Sequence, residues 1–172
     1  MSSLYLGVYM IYYYKTSSGF IYKKENCEKG VWLNCIVPSE NDISYISENF
    51  KIDINFLKSS IDEEESSRID YDDGTLLVVI DIPLEVKSDK EFTYYTTPLS
   101  IFLTKENVIT VSLKGNEIIN SVASGRVRHT DTNDKTNFVL NLILFASSKY
   151  LKYLNKIIKN SNQIEKSLRK SM

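Results

Sequence analysis

Carboxylates are densest between Asp62 and Asp73, where the run DEEESSRIDYDD ends at Gly74. Hard oxygen donors at short spacing are what Ca²⁺ and Mg²⁺ prefer, so the first chemistry to weigh here is cation binding. An EF-hand loop places oxygen ligands at positions one, three and five and glycine at six. Counted from Asp70, Asp72 falls at three, but Gly74 falls at five and Thr75 at six, and the match fails by one residue. The spacing favours structural roles instead. Asp62 is expected to cap a helix start, with the neighbouring Glu residues at its positive end and Arg68 pairing with a nearby acid.

No other constellation points to catalysis. The single histidine, His129, sits in the basic turn Arg126-Val127-Arg128-His129, and the six glycines are too scattered to form a phosphate-binding loop. A G-x-S-x-G nucleophile elbow is also absent from the sequence, so an enzyme is not expected. Cys27 and Cys35 lie eight apart with no second pair to complete a zinc site. They read as structural thiols in a reduced, cytosolic setting.

The elements that would position any site follow from pattern and punctuation. Strands are expected near 10–15, 19–23 and 31–37, then a helix after Pro38 with Ser39, Glu40 and Asp42 supplying its cap and first-turn charge. A second helical piece, Asp53 to Ser60, carries Ile54, Leu57 and Ile61 at helical spacing. Leu76 to Ile82 is a continuous, β-branched run between Gly74 and Pro83, the signature of a strand buried on both faces. Ile101 to Leu103 and Val108 to Leu113 flank a four-residue polar link short enough for a hairpin, so at least three strands share one sheet. Asn116 to Ser124 reads as a short helix closed by Gly125.

Asp134 to Lys170 reads as one long helix without internal Gly or Pro. Leu140, Ile143, Ser147, Tyr150, Leu154, Ile157, Ser161, Ile164 and Leu168 step by three and four, a heptad-like seam. At 1.5 Å per residue such a helix is roughly 50 Å long. It cannot bury the whole seam on a domain of this size and calls for a partner helix, from a continuation of the chain or from another subunit. Lys149 to Met172 holds seven bases and one acid, a net +6, which leaves −7 for residues 1–148 of a chain whose total is −1. The bases read as a solvated face. Nucleic-acid binding is not expected, since no reader motif accompanies them.

The chain has 172 residues, 42% hydrophobic and 25% charged, which suits one α/β unit with a real core. No apolar run approaches the roughly 18 to 20 residues of a spanning helix; Phe138 to Ala146 is too short and is broken by Asn141. Met1 to Met10 lacks the basic start of a secretory leader. The aromatic stretch from Tyr5 to Tyr14 is expected to join or precede the first strand, and residues 1–9 read as an N-terminal extension.

In residue types and order, the sequence resembles the cytoplasmic domain of the CorA family of divalent-cation transporters. The matching residues are Glu64, Glu65, Arg68 and Asp70, then Leu76 to Pro83. After them come Thr97, Pro98, Leu99, Ile101, Leu103, Thr104, Lys105, Val108, Ile109, Thr110 and Val111. Upstream, Val31, Trp32, Leu33 and Pro38 match an early strand. The family's Gly-Met-Asn signature does not occur in this sequence, and the chain stops inside a helical segment, so an excised domain of a longer protein is expected.

The resemblance implies an α/β/α sandwich with a mixed sheet and a long C-terminal helix, divided as 10–130 for the sandwich and 131–172 for the helix leading toward a stalk and membrane. It implies a domain on the cytoplasmic face of the membrane that senses intracellular divalent cation and gates a pore through packing between the subunits of a homopentamer. Mg²⁺, and with it Co²⁺, is the implied transported and regulatory ion, with no organic cofactor. The family's regulatory cations bind between subunits, and the resemblance puts Asp89, in the loop Glu85 to Glu91, near the first ligand. The competing reading is a stand-alone module whose basic helix engages an acidic protein or nucleic acid.

Overall fold

The computed structural model describes residues 10–87 and 92–171. The expected N-terminal extension, residues 1–9, and the loop position Asp89 both lie outside the described residues. Seven strands form one sheet: β1 (Ile11–Ser17), β2 (Phe20–Lys24), β3 (Trp32–Ile36), β4 (Arg68–Asp72), β5 (Thr75–Lys87), β6 (Phe92–Leu103) and β7 (Val108–Ser112). Four helices accompany them: α1 (Glu40–Phe50), α2 (Ile54–Ser59), α3 (Glu117–Ala123) and α4 (Lys135–Ser171). The spatial order is β2-β1-β3-β7-β6-β5-β4. All neighbours are antiparallel except β3 and β7, which run parallel, so the sheet is mixed, as the sequence predicts.

Alternation along the strands sends residues to opposite faces, and each face has its own core. On one side Trp32, Val78, Ile82, Leu99 and Ile101 pack with Ile118, Ile119 and Val122 of α3 and with Phe138, Val139, Leu142 and Ala146 of α4. On the other, Leu33, Cys35, Leu77, Val79, Phe102, Ile109 and Val111 pack with Ile43 and Ile46 of α1 and Leu57 of α2. Two helical layers around one sheet make the α/β/α sandwich. A buried polar chain crosses β3 and β7: Trp32 Nε1 donates to Thr110 Oγ1 at 2.9 Å, and that hydroxyl donates to Asn34 Oδ1 at 3.0 Å.

Local chemistry places the helix ends. Ser39 caps α1 in a reciprocal box with Asp42, and Asp53 caps α2 by accepting from the amides of Asn55 and Phe56. Asn116 Oδ1 accepts from the Ile119 amide at 2.8 Å, and Gly125 follows α3 with φ +69°, where a side chain would be strained. Thr16 on β1 exchanges hydrogen bonds with Thr132 and donates to the Thr130 carbonyl, which ties the link before α4 to the sheet.

One local expectation is overturned. Asp62 does not start a helix. Its carboxylate accepts from the Glu64 amide within a turn, and Arg68–Asp72, in the second half of the acidic run, is strand β4. Asp73 and Gly74, at φ +38° and +82°, make the two-residue turn from β4 into β5, a geometry that Asp-Gly suits. The alternation of Ile69 and Tyr71 with charged residues was the strand signal, masked by the acid count.

The seam expected on α4 is left largely open, as a helix too long for this domain implies. The face set against the sheet and α3 is Phe138, Val139, Leu142, Ala146, Lys149 and Tyr153. Most of the expected seam lies on an adjacent, outward face: Leu140 is 56% exposed, Leu154 51%, Ile164 62% and Leu168 60%. Only Ile143 of that series packs against the core. Both faces repeat at three and four, and periodicity does not say which of them meets the sheet.

Candidate functional site

β5 and β6 are far longer than their outer neighbours. β4 pairs only with Thr75 to Val79 of β5, and β7 only with Leu99 to Leu103 of β6. Residues 80–87 and 92–98 therefore continue past both neighbours as a two-stranded ribbon, closed at its end by the pairing of Lys87 with Phe92. The expected metal ligand Asp89 falls, in sequence, among the four residues 88–91 between these strands, outside the described residues.

One face of this ribbon meets α4. Lys156 Nζ donates to Glu85 Oε1 at 2.5 Å, and Tyr94 Oη donates to the same oxygen at 2.9 Å. The Tyr94 and Tyr153 rings stack in a tilted contact, and Lys156 lies 5.6 Å from the Phe92 ring centroid. Glu85, Phe92 and Tyr94 belong to the alternation set opposite to Val78 and Ile82, which face α4 in the body of the sheet. Two-stranded ribbons twist more strongly than broad sheets, which accounts for the opposite set meeting α4 beyond Pro83.

A second cluster lies along the same helix face. Lys149, largely buried, pairs with Glu117 of α3, and Tyr153 Oη donates to the other oxygen of that carboxylate at 3.3 Å. The Lys149 ammonium holds the Glu117 carboxyl below its usual range, and the Lys156 ammonium does the same for Glu85. Burial, with the nearby Glu117 carboxylate, pushes the Tyr153 phenol up to about 12. At the start of α4, Lys135 Nζ donates to the carbonyls of Thr104 and Lys105, both at 2.6 Å. Lysine ammoniums thus anchor α4 at three successive places.

The acidic segment does not assemble a cation site. Arg68 pairs with Glu65, as expected of an acid near it, and its Nε lies 3.9 Å from Asp70. Asp53, Asp70, Asp72 and Asp73 border one open concavity, yet Asp53 is committed to capping α2. Among the described residues no group of three or more His, Cys, Asp or Glu side chains could hold a metal ion. Glu85 and Glu117, absent from the expected site residues, are the carboxylates that tie α4 to the ribbon and to α3. The pairing of distant chain segments that defines them leaves no local sequence signal.

A three-layer α/β sandwich that ends in a long helix carried past the sheet is a fold shared with the soluble parts of ion transporters of known structure. The chain superimposes on the complete CorA magnesium transporter from Methanocaldococcus jannaschii with a TM-score of 0.73 at 15% identity, covering 92% of this chain and 51% of that one. Against the soluble domain of CorA from the same organism the TM-score is 0.71 at 18% identity, with 94% and 65% covered. For the ZntB cytoplasmic domain from Vibrio parahaemolyticus the values are 0.67 and 15%, with 90% and 64% covered. The chain thus spans about half the length of the complete transporter it matches. No curated protein matches it by sequence. The family model for CorA-like Mg²⁺ transporter proteins matches residues 28–172, and the chain belongs to that family.

Proposed function

We propose that this chain is the cytoplasmic domain of a CorA-like divalent-cation transporter, in which it senses intracellular Mg²⁺ and biases the pore through packing between subunits. The observation that carries the reading is the family match across residues 28–172. No helix among the described residues is long and apolar enough to cross a membrane; in this reading the pore is built by other segments of the parent protein, and transport belongs to the whole assembly.

Two features support the sensing role. The β5–β6 ribbon extends past the neighbouring strands as far as the pairing of Lys87 with Phe92, and Asp89, between those strands in sequence, would supply one carboxylate to a cation shared with a neighbouring subunit. Mg²⁺ keeps most of its waters and takes only one or two carboxylates, so a shared site of this kind needs no preformed cluster within one chain. A cation that binds only the packed arrangement stabilises it by mass action. The outward seam of α4, with Leu154, Ile157, Ile164 and Leu168 exposed, supplies apolar surface for packing in a homopentamer.

Calorimetric titration of the complete protein with Mg²⁺ and with Co²⁺, alongside its oligomeric state, tests this reading. Binding in the millimolar range or tighter, strengthened assembly, and loss of both in Asp89→Asn are the expected results. Unchanged assembly without binding would count against a sensor. Retention of an acidic protein or an oligonucleotide by the basic helix would instead favour an interaction module.

A further inference from the structure

Among the described residues, Lys149, Tyr153 and Lys156 of α4 reach other elements through their side-chain polar groups, and they are spaced four and three apart on one helix face. Beyond Lys156, residues 157–170 are all exposed. α4 therefore parts from the sheet where Glu85, on the ribbon, and Glu117, on α3, hold it. Both carboxylates are shared: Glu85 accepts from Lys156 and Tyr94, and Glu117 accepts from Lys149 and Tyr153. The Tyr94–Tyr153 ring contact joins the two clusters.

We propose that Glu85–Lys156 and Glu117–Lys149 form a two-point latch that fixes the direction in which α4 leaves the sandwich and makes the ribbon and the helix move together. The two points differ in strength. At the first point the Lys149 side chain is 10% exposed and that of Glu117 51%, so it is the lysine that would be left with little solvent if the pair parted. At the other point the Lys156 side chain is 41% exposed and that of Glu85 21%, so water can replace either partner. The buried lysine makes Glu117–Lys149 the pivot, and the more exposed Lys156 makes Glu85–Lys156 the releasable catch. Glu85 stands two residues before Lys87, the last residue ahead of the tip, and Phe92, the first after it, also contacts Lys156. Any coupling of the catch to a cation bound at residues 88–91 rests on the sensing reading above, whereas the latch itself does not.

Electron-spin distance measurement on the full chain, without added divalent cation, tests the latch. Spin labels are placed at Thr93 on the ribbon and Asn160 on α4, in a Cys27→Ser, Cys35→Ala background. The parent gives one narrow distribution. Lys156→Glu sets two carboxylates against each other and is expected to broaden the distribution and shift it to longer distance. Lys156→Gln gives a smaller shift, and Glu85→Lys combined with Lys156→Glu restores the narrow distribution. A parent-like distribution in both single variants, with the β7 amides still protected from hydrogen exchange, overturns the proposal. So does a double variant as broad as the single. Because no metal enters the experiment, its failure leaves the sensing reading standing, and absence of cation binding leaves the latch standing.

Discussion

The rings of Tyr94 on β6 and Tyr153 on α4 lie 5.3 Å apart, centroid to centroid, at an interplanar angle of 43°. They join the ribbon to the helix between two ion pairs, and tilted aromatic pairs contribute beyond the area they bury. Tyr153→Ala is expected to cost about 3 kcal/mol in urea unfolding. A double-mutant cycle with Tyr94→Ala should give a coupling energy of about 1 kcal/mol. Strict additivity would show that the rings are neighbours without being partners.

Acid should weaken the attachment of α4. The carboxyls of Glu85 and Glu117 titrate below their ordinary range in the folded chain because of the lysines beside them. A carboxyl depressed on folding adds stability that is complete above its unfolded pKa, about 4.3 for glutamate, and is lost as pH falls through the folded value. The urea midpoint is therefore expected to drop as pH falls below about 4.3, and to drop less in Glu85→Gln/Glu117→Gln. A double variant with the parent's full acid dependence would assign that dependence to other carboxylates.

Thr110→Val keeps the shape of the β7 side chain and removes its hydroxyl. Trp32 Nε1 then loses its acceptor and Asn34 Oδ1 its donor, in a part of the sheet where Asn34 and Trp32 are 1% and 0% exposed. A buried polar group left unsatisfied costs about 1 to 3 kcal/mol, and a loss of about 2 kcal/mol or more is expected by chemical denaturation. Thr110→Ser, which retains the hydroxyl, should recover most of it.

The two faces of α4 should respond oppositely to truncation. Leu142 is fully buried, and Leu142→Ala is expected to cost about 2 to 5 kcal/mol. Leu154 is 51% exposed, and Leu154→Ala should change the stability of the isolated chain by about 0.5 kcal/mol or less. If the outward seam is an assembly surface, the same substitution weakens oligomerisation of the complete protein, which sedimentation velocity would read.

The two thiols should be distinguishable by reagent. Cys27 is exposed, whereas Cys35 is buried on β3 and its thiol is pushed up to about 12 by that burial. Thiolate is the reactive form. A disulfide reagent at neutral pH is expected to titrate one thiol in the native chain and two in urea. Loss of the fast-reacting thiol in Cys27→Ser would complete the assignment.

Much of the fold is legible in local pattern. Pro38 with Ser39 and Asp42 marks the start of α1, Asn116 and Gly125 bracket α3, and the apolar run from Leu76 to Ile82 marks the central strand. The family resemblance rests on such ordered segments, and the family match agrees with it. The ribbon is less legible. Its arms, LEVK and FTYY, mix charge with aromatics because they are paired only with each other and half exposed, so the run looked finished at Pro83. β4 was hidden for the opposite reason, since its acids drew attention away from the alternation of Ile69 and Tyr71.

The sequence by itself determined the element types, most of their order, the absence of an EF-hand and the charge imbalance between body and helix, because these depend on composition and on spacing along one chain. Only the tertiary structure decided which stripe of α4 meets the sheet, and that Glu85 reaches Lys156 across 71 residues and Glu117 reaches Lys149 across 32. Those pairings depend on the register of β5 with β6 and on the twist that turns the ribbon toward the helix. Register and twist are properties of strands packed together, and no single segment carries them.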